Sequence, residues 1–380
     1  MLKPNMTVYQ VFVRNYSKKG TFKALEKDLP RIRRLGVDIL YLMPIHMIGN
    51  VARKGNYGSP YAIKDYYSIS PDLGTLEDFV SLIKAVHRSK MKIVMDMVFN
   101  HTSPDSVLTK EHPEFYHYNK KGQRYNRVGD WNDVVDLDTT KKETQDYLLK
   151  VLKYWRNLEV DGFRFDVAPL IPLDFFKRAR KALGKKVIFI AENIDEHFAA
   201  YMAKQGVKTT REKDLFPTFD VAYNYHWYGD FLNYIKKGDY QTMITKIQEQ
   251  DKTLPKSAIV MNCMDNHDQD RIAEKLCRTP AKFEEIVNFM FFLKGWGFIY
   301  MGDEYGIEHT PNLFEKDDVN WNLKDPFATS LYASAIKEKG NEFNGKVVRQ
   351  EFIYLEDGRV AVKLYSNKGA TKVRVFDFRR

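Results

Sequence analysis

Eight short apolar runs separated by helix-patterned stretches constrain this chain more than any other feature. The runs are Val8–Val13, Val37–Leu42, Lys92–Val98, Gly162–Val167, Val187–Ala191, Pro217–Val221, Ala258–Asn262 and Gly297–Met301. Between them, Phe22–Leu35, Lys142–Leu158, Tyr228–Gln250 and Phe283–Lys294 carry helical periodicity. Continuous apolar runs mark strands covered on both faces, as in a parallel sheet with crossover helices. Eight such units predict an α/β fold, a (β/α)₈ TIM barrel. The length of 380 residues suits a barrel of roughly 250 residues with additions.

Two regions break the rhythm. A polar, aromatic excursion at about 101–137 follows the third strand and predicts a short insertion subdomain. From residue 345 to 380, strand-like segments at Val347-Val348, Phe352–Leu355, Val360–Tyr365 and Val373–Phe376 predict a small C-terminal antiparallel β module. Asp357-Gly358 supplies its hairpin turn. The catalytic unit is therefore expected over 1–340. At Gly74-Thr75-Leu76-Glu77-Asp78, a Thr three residues before an acid predicts a capping box at a helix start.

Charge and composition narrow the function classes. The net charge of +10 is spread as Lys-Lys pairs rather than gathered in one block, which argues against a nucleic-acid partner. No apolar run is long enough to span a bilayer, so no membrane partner is expected. No signal-peptide core follows Met1, and the two cysteines, Cys263 and Cys277, suit a reducing compartment; the expected location is cytoplasmic. The oligomeric state is unknown on this reading.

The chemistry gathers at strand ends, where barrels place reactive groups. In Gly162-Phe163-Arg164-Phe165-Asp166, Arg164 and Asp166 share one strand face, and the arginine is expected to keep Asp166 ionised. Asp96 lies near the end of the third strand, followed by Asn100-His101; Glu192 ends the fifth, and His267-Asp268 follow the seventh. Two carboxyls at neighbouring strand ends, one ionised and one protonated, are suited to act together as nucleophile and acid. Ile188 and Ile190 would help dry the surroundings of Glu192.

These segments carry a family resemblance. Asp96–His101 resembles the D-x-x-x-N-H motif of the α-amylase superfamily, glycoside hydrolase family 13. Gly162–Ala168 resembles its G-F-R-x-D strand, Phe189–Asn193 its acid-bearing strand and Asn266-His267-Asp268 its N-H-D motif. Gly36–Pro44, Tyr61–Tyr67, Asp133–Asp138 and Gly302-Asp303-Glu304 also match, in order, across about residues 6–340. The resemblance implies Asp166 as nucleophile, Glu192 as general acid and then base, and Asp268 as the carboxylate that holds and distorts the sugar. It implies that Arg164 orients Asp166, that His101 and His267 bind sugar hydroxyls, that Tyr61 stacks on the ring, and that Asp96 buttresses Arg164.

The resemblance also implies calcium ligands near Asn100 and Asp136. Here Pro169-Leu170 replaces the Lys-His pair of many α-amylases and the insertion is short. No cofactor or metal is therefore expected to be required, with structural calcium left open. Val134–Asp138 departs from the Q-P-D-L-N pattern of oligo-1,6-glucosidases, which argues against α-1,6 specificity. The leading expectation is a retaining hydrolase of α-1,4-glucans or malto-oligosaccharides. The alternatives are a glucanotransferase using the same triad and a noncatalytic sugar-binding relative. Trp131, Tyr223, Tyr225, Trp227 and Trp296 are candidate sugar platforms, with core or rim packing the safer reading for each.

Overall fold

The computed structural model describes residues 2–216, 218–276, 279–340 and 346–379. Eight parallel strands close into a barrel: β1 (Thr7–Val11), β2 (Ile39–Leu42), β3 (Lys92–Met97), β4 (Gly162–Phe165), β5 (Ile188–Ala191), β6 (Val221–Tyr223), β7 (Ile259–Asn262) and β8 (Trp296–Tyr300). Each strand pairs with its sequence neighbours, and β8 pairs with β1. The expected (β/α)₈ architecture is therefore present.

Local chemistry explains the element ends. Helix α1 (Phe22–Leu35) starts at Thr21, whose side chain accepts from the Ala24 N–H, and stops at Gly36 with φ 101°. Helix α2 (Leu76–Arg88) carries both bonds of the expected Thr75–Asp78 capping box. Helix α3 (Lys142–Asn157) buries Leu148, Val151, Leu152 and Trp155, the one-face spacing that seats a helix on a barrel. Gly162 is required by crowding, because a Cβ there would lie 2.4 Å from the Cβ of Ile188 on the next strand.

Three expectations shift. The sixth strand is not at Pro217–Val221 but at Val221–Tyr223. Phe219, which made the earlier segment look strand-like, instead packs its ring 4.6 Å from Phe176 outside the barrel sheet. Asp220 ties the strand entrance down by accepting from the Phe189 N–H at 2.8 Å and from Arg180 at 2.7 Å. Pro217 itself lies outside the described residues. The single helix expected at Tyr228–Gln250 is two, Tyr225–Lys237 and Tyr240–Thr253. Gly238, at φ 80°, ends the first, and the Asp239 carboxylate caps the second by accepting from Thr242 N–H. The fourth strand stops at Phe165, and Val167 turns into the left-handed region at φ 36°.

Within the insertion, His101–Thr102 pairs with Val135–Asp136, and Tyr116 bridges to Leu137. The C-terminal module is a three-stranded antiparallel sheet of β9 (Val347–Tyr354), β10 (Val360–Ser366) and β11 (Thr371–Phe376). It has a second hairpin besides the one at Asp357-Gly358, because Gly369 at φ 82° supplies another turn. Its Phe376 and Phe378 meet Phe289 edge-on at 5.3 and 4.9 Å, which fastens the sheet to helix Pro280–Phe292.

Candidate active site

Backbone register builds the centre of the site. Asp96 on β3 pairs in register with Arg164 on β4, so both side chains enter the barrel side by side. Arg164 Nη1 donates to both Asp96 oxygens at 2.7 and 2.9 Å and to Asp166 Oδ1 at 2.9 Å. Its Nη2 lies 2.6 Å from Glu192 Oε1. One buried guanidinium thus holds three carboxylates. Tyr41 and Tyr61 donate to Asp96 Oδ2 at 2.6 and 3.0 Å, fixing the carboxylate behind the arginine. Asp96 buttresses, as expected.

Asp166 and Glu192 follow directly on their strands. The Val167 N–H donates to Glu192 Oε2 at 2.7 Å, and this bond is made from the left-handed turn. A β-branched residue seldom adopts that backbone, so the turn is strained where it grips the acid.

Two effects oppose each other at Asp166. Arg164 favours the ionised carboxylate by its charge and its hydrogen bond. Burial dominates and lifts Asp166 to about 7, with Arg164 only partly offsetting it. Burial likewise lifts Glu192, Arg164 partly offsets the rise, and the Asp166 and Asp268 charges add to it. Burial thus lifts both members of the pair above the ordinary carboxylate range, so that one proton can be shared between them near neutral pH. Ile188 and Ile190 are fully buried beneath Glu192.

Asp268 is held differently. Burial pushes its carboxyl up, but the charge and hydrogen bond of His267, with Arg164 behind, bring it below its usual range. Its side chain is 46% exposed to the pocket and ready to meet a ligand. The Asn266 side chain accepts from the Asp268 N–H at 2.9 Å and shapes this turn. The Gln10 amide contacts His267 Nδ1 at 3.0 Å, while Tyr61 Oη and Asp268 Oδ2 lie 2.6 and 3.1 Å from Nε2. Tyr61 stacks on His267 at 5.2 Å. Burial lowers His101 to about 4, so it is neutral, and its ring meets Trp131 edge-on at 5.2 Å.

All three acids, with Tyr61, His101 and His267, line one cavity of about 340 Å³; Arg164 lies beneath it. A larger cavity of about 970 Å³ lies beyond Leu170 and is lined by none of these acids. Among the aromatic candidates, Trp131 lines the catalytic cavity and Tyr225 a neighbouring groove. Tyr223, Trp227 and Trp296 are core residues. Sequence reasoning missed Gln10, Tyr41, Lys54 and Phe314. The first two face inward from β1 and β2, Tyr41 within the Gly36–Pro44 segment but with no role read for it there; the others lie in loops.

Asn100 and Asp136 do not form a cation cradle. Arg127 Nε donates to Asp136 Oδ2 at 2.7 Å, and its Nη2 reaches Asn100 Oδ1 at 3.4 Å, so a guanidinium already sits between the oxygens. Among the described residues, no group of three or more His, Cys, Asp or Glu side chains is arranged to hold a metal ion.

Comparison with known proteins agrees with this geometry. The family model described as the α-amylase catalytic domain matches residues 10–114 and 109–344. The chain belongs to the α-amylase family of glycoside hydrolases. It is 26% identical to alpha-amylase 3 of Dictyoglomus thermophilum, covering 98% of this chain and 80% of the relative. It is also 26% identical to an intracellular maltogenic amylase of Bacillus subtilis, over 76% of this chain and 49% of that protein. The chain thus spans only about half of the latter. Among solved structures, an α-amylase from Lactobacillus plantarum is 38% identical with a TM-score of 0.91, covering 96% of this chain and 86% of that one. A maltogenic α-amylase from Thermotoga neapolitana is 31% identical with a TM-score of 0.86, covering 99% and 86%. No helix among the described residues is long and apolar enough to cross a membrane.

Proposed function

We propose that this protein hydrolyses α-1,4-linked glucans or malto-oligosaccharides with retention of configuration. The carrying observation is Arg164, which grips Asp166 and Glu192 with its two terminal nitrogens beneath the one cavity that both acids line together with Asp268. Asp166 attacks the anomeric carbon and Glu192 protonates the departing oxygen. Asp166 becomes the glycosyl ester, and Glu192, now a carboxylate, takes a proton from the water that releases it. Asp268, low in pKa and open to the pocket, holds hydroxyls of the same sugar, with His101 and His267 beside it. Transfer to a sugar acceptor uses the same acids and is the second reading; maltosyltransferases among the relatives favour keeping it. Product analysis on maltoheptaose separates the two. Only shorter sugars are expected, and products longer than the substrate would establish transfer.

The reaction as read here requires no metal, because Arg127 supplies the positive charge between Asn100 and Asp136. Incubation with a chelator is expected to leave the initial rate and Tm unchanged. A loss of activity restored by calcium would contradict this. A cytoplasmic location is supported by the intracellular maltogenic amylases among the relatives and by a buried, unpaired Cys263; Cys277 lies outside the described residues.

A further inference from the structure

One side of the catalytic cavity is lined by Lys54, Asp133 and Phe314. This wall joins three loops that are far apart in sequence. Lys54, after β2, forms an ion pair with Asp133 of the insertion at 3.0 Å, and its ammonium donates to the Asp130 carbonyl at 3.2 Å. The same ammonium lies 5.7 Å from the ring centre of Phe314, after β8. The loops carrying Lys54 and Phe314 are stitched together as well. Asn56 donates to Glu315 from its backbone and its side chain, both at 3.0 Å, and Tyr57 N–H donates to the Phe314 carbonyl at 3.0 Å. Arg14, in the short helix Val13–Tyr16 after β1, donates to the carbonyls of Gly58 and Leu313 and ties both loops to it. No side chain fits at Gly55, where a Cβ would come within 2.6 Å of Glu315 and 2.8 Å of the Phe314 carbonyl.

Barrel order places this wall relative to the chemistry. The loops after β2 and β8 flank β1, and β1 stands opposite β5 in the closed ring of eight. Glu192 follows β5. A general acid sits on the leaving-group side of the scissile bond, so the wall lies on the glycon side. Beyond Glu192 runs a second cavity of about 520 Å³, a surface groove formed by the loops and helices after β5, β6 and β7. Tyr225 lines this groove and accepts from the Asn266 side chain at 2.8 Å, and Gln269 at its edge adjoins Asp268. The catalytic cavity, at about 340 Å³, is near the small end of ligand sites. Since that volume also includes the space around the acids, little of it remains between them and the wall for a long glucan chain.

We propose, on the basis of the α-glucan reading above, that the enzyme acts from the non-reducing chain end. The Lys54–Asp133 bridge is the end wall that sets a mono- or disaccharide product, and the groove beside Tyr225 carries the rest of the chain. An internal cut would require glucan to pass through that wall.

The test uses a chromogenic maltoheptaoside in two forms, one with a free non-reducing end and one with that end blocked. The wild-type protein is expected to release a single short sugar from the free form from the earliest time points, and to cut the blocked form at least 100-fold more slowly. Lys54→Ser and Asp133→Asn are each expected to raise cleavage of the blocked form at least tenfold and to broaden the product range. Comparable wild-type rates on both forms, or an early mixture of product lengths, would overturn the end-wall proposal and leave the α-glucan reading standing. No cleavage of either form, or of a maltosyl fluoride, would instead overturn the α-glucan reading and the proposal with it. Should either variant fail to fold, the wild-type ratio alone decides.

Discussion

Glu192→Gln should bind malto-oligosaccharides normally and cleave them on the order of 10²–10⁴-fold more slowly, the usual worth of a positioned acid–base group. With a glycosyl fluoride, whose leaving group needs no proton, the first step should recover. The second step still lacks its base, so the covalent ester on Asp166 should accumulate and be visible by intact-mass measurement. Asp166→Asn should lose roughly 10⁴-fold or more with both substrates, because no nucleophile remains. The pH profile adds an independent readout. On this assignment activity needs Asp166 ionised and Glu192 protonated, so the limbs of the wild-type bell, which belong to the pair, should both lie above the ordinary carboxylate range. In Glu192→Gln the alkaline limb should vanish. Near-wild-type hydrolysis by Glu192→Gln would rule out its assignment as the acid.

The acids were legible in the sequence because a barrel sends reactive groups to strand ends. Strand runs of Val, Ile, Phe and Met mark those ends to within a few residues. Asp96 and Arg164 illustrate the point: each sits in an apolar run where a charge is costly unless paired, and the register pairs them. The sixth strand was harder to place. Its three residues are flanked by Phe216 and Phe219, which are just as apolar but serve packing outside the sheet. The end wall was not legible at all. Lys54, Asp133 and Phe314 come from loops whose meeting depends on the barrel closing, and a lysine beside a glycine reads locally as surface. The raised pKa values were also beyond the sequence, which shows an arginine beside an aspartate but not how completely both are buried.

The second large effect concerns the arginine itself. Arg164 is 1% exposed and stands among Asp96, Asp166 and Glu192, which are at most 7% exposed. Arg164→Met would fill much of the same space but leave three buried carboxyls without their cation. Breaking a buried ion pair from one side typically costs about 3–5 kcal/mol. The loss should depend on pH with a defined sign. Folded-state values raised above the unfolded ones mean that the native protein binds protons the unfolded chain releases. This contribution is full below about pH 4, the ordinary carboxylate range, and is lost as pH rises through the folded values. In the wild type that window runs from about 4 up to about 7 for Asp166 and about 8 for Glu192. Without the guanidinium both values should rise further, so the Tm deficit of Arg164→Met should be largest at pH 8 and shrink steadily toward pH 5. Adding Asp96→Asn removes one carboxyl of the cluster and should recover part of the deficit. Calorimetry across that range checks both variants. A deficit that is constant with pH would mean that Arg164 stabilises the fold through contacts that do not titrate across this range, and that the charge balance around Asp166 and Glu192 is set elsewhere.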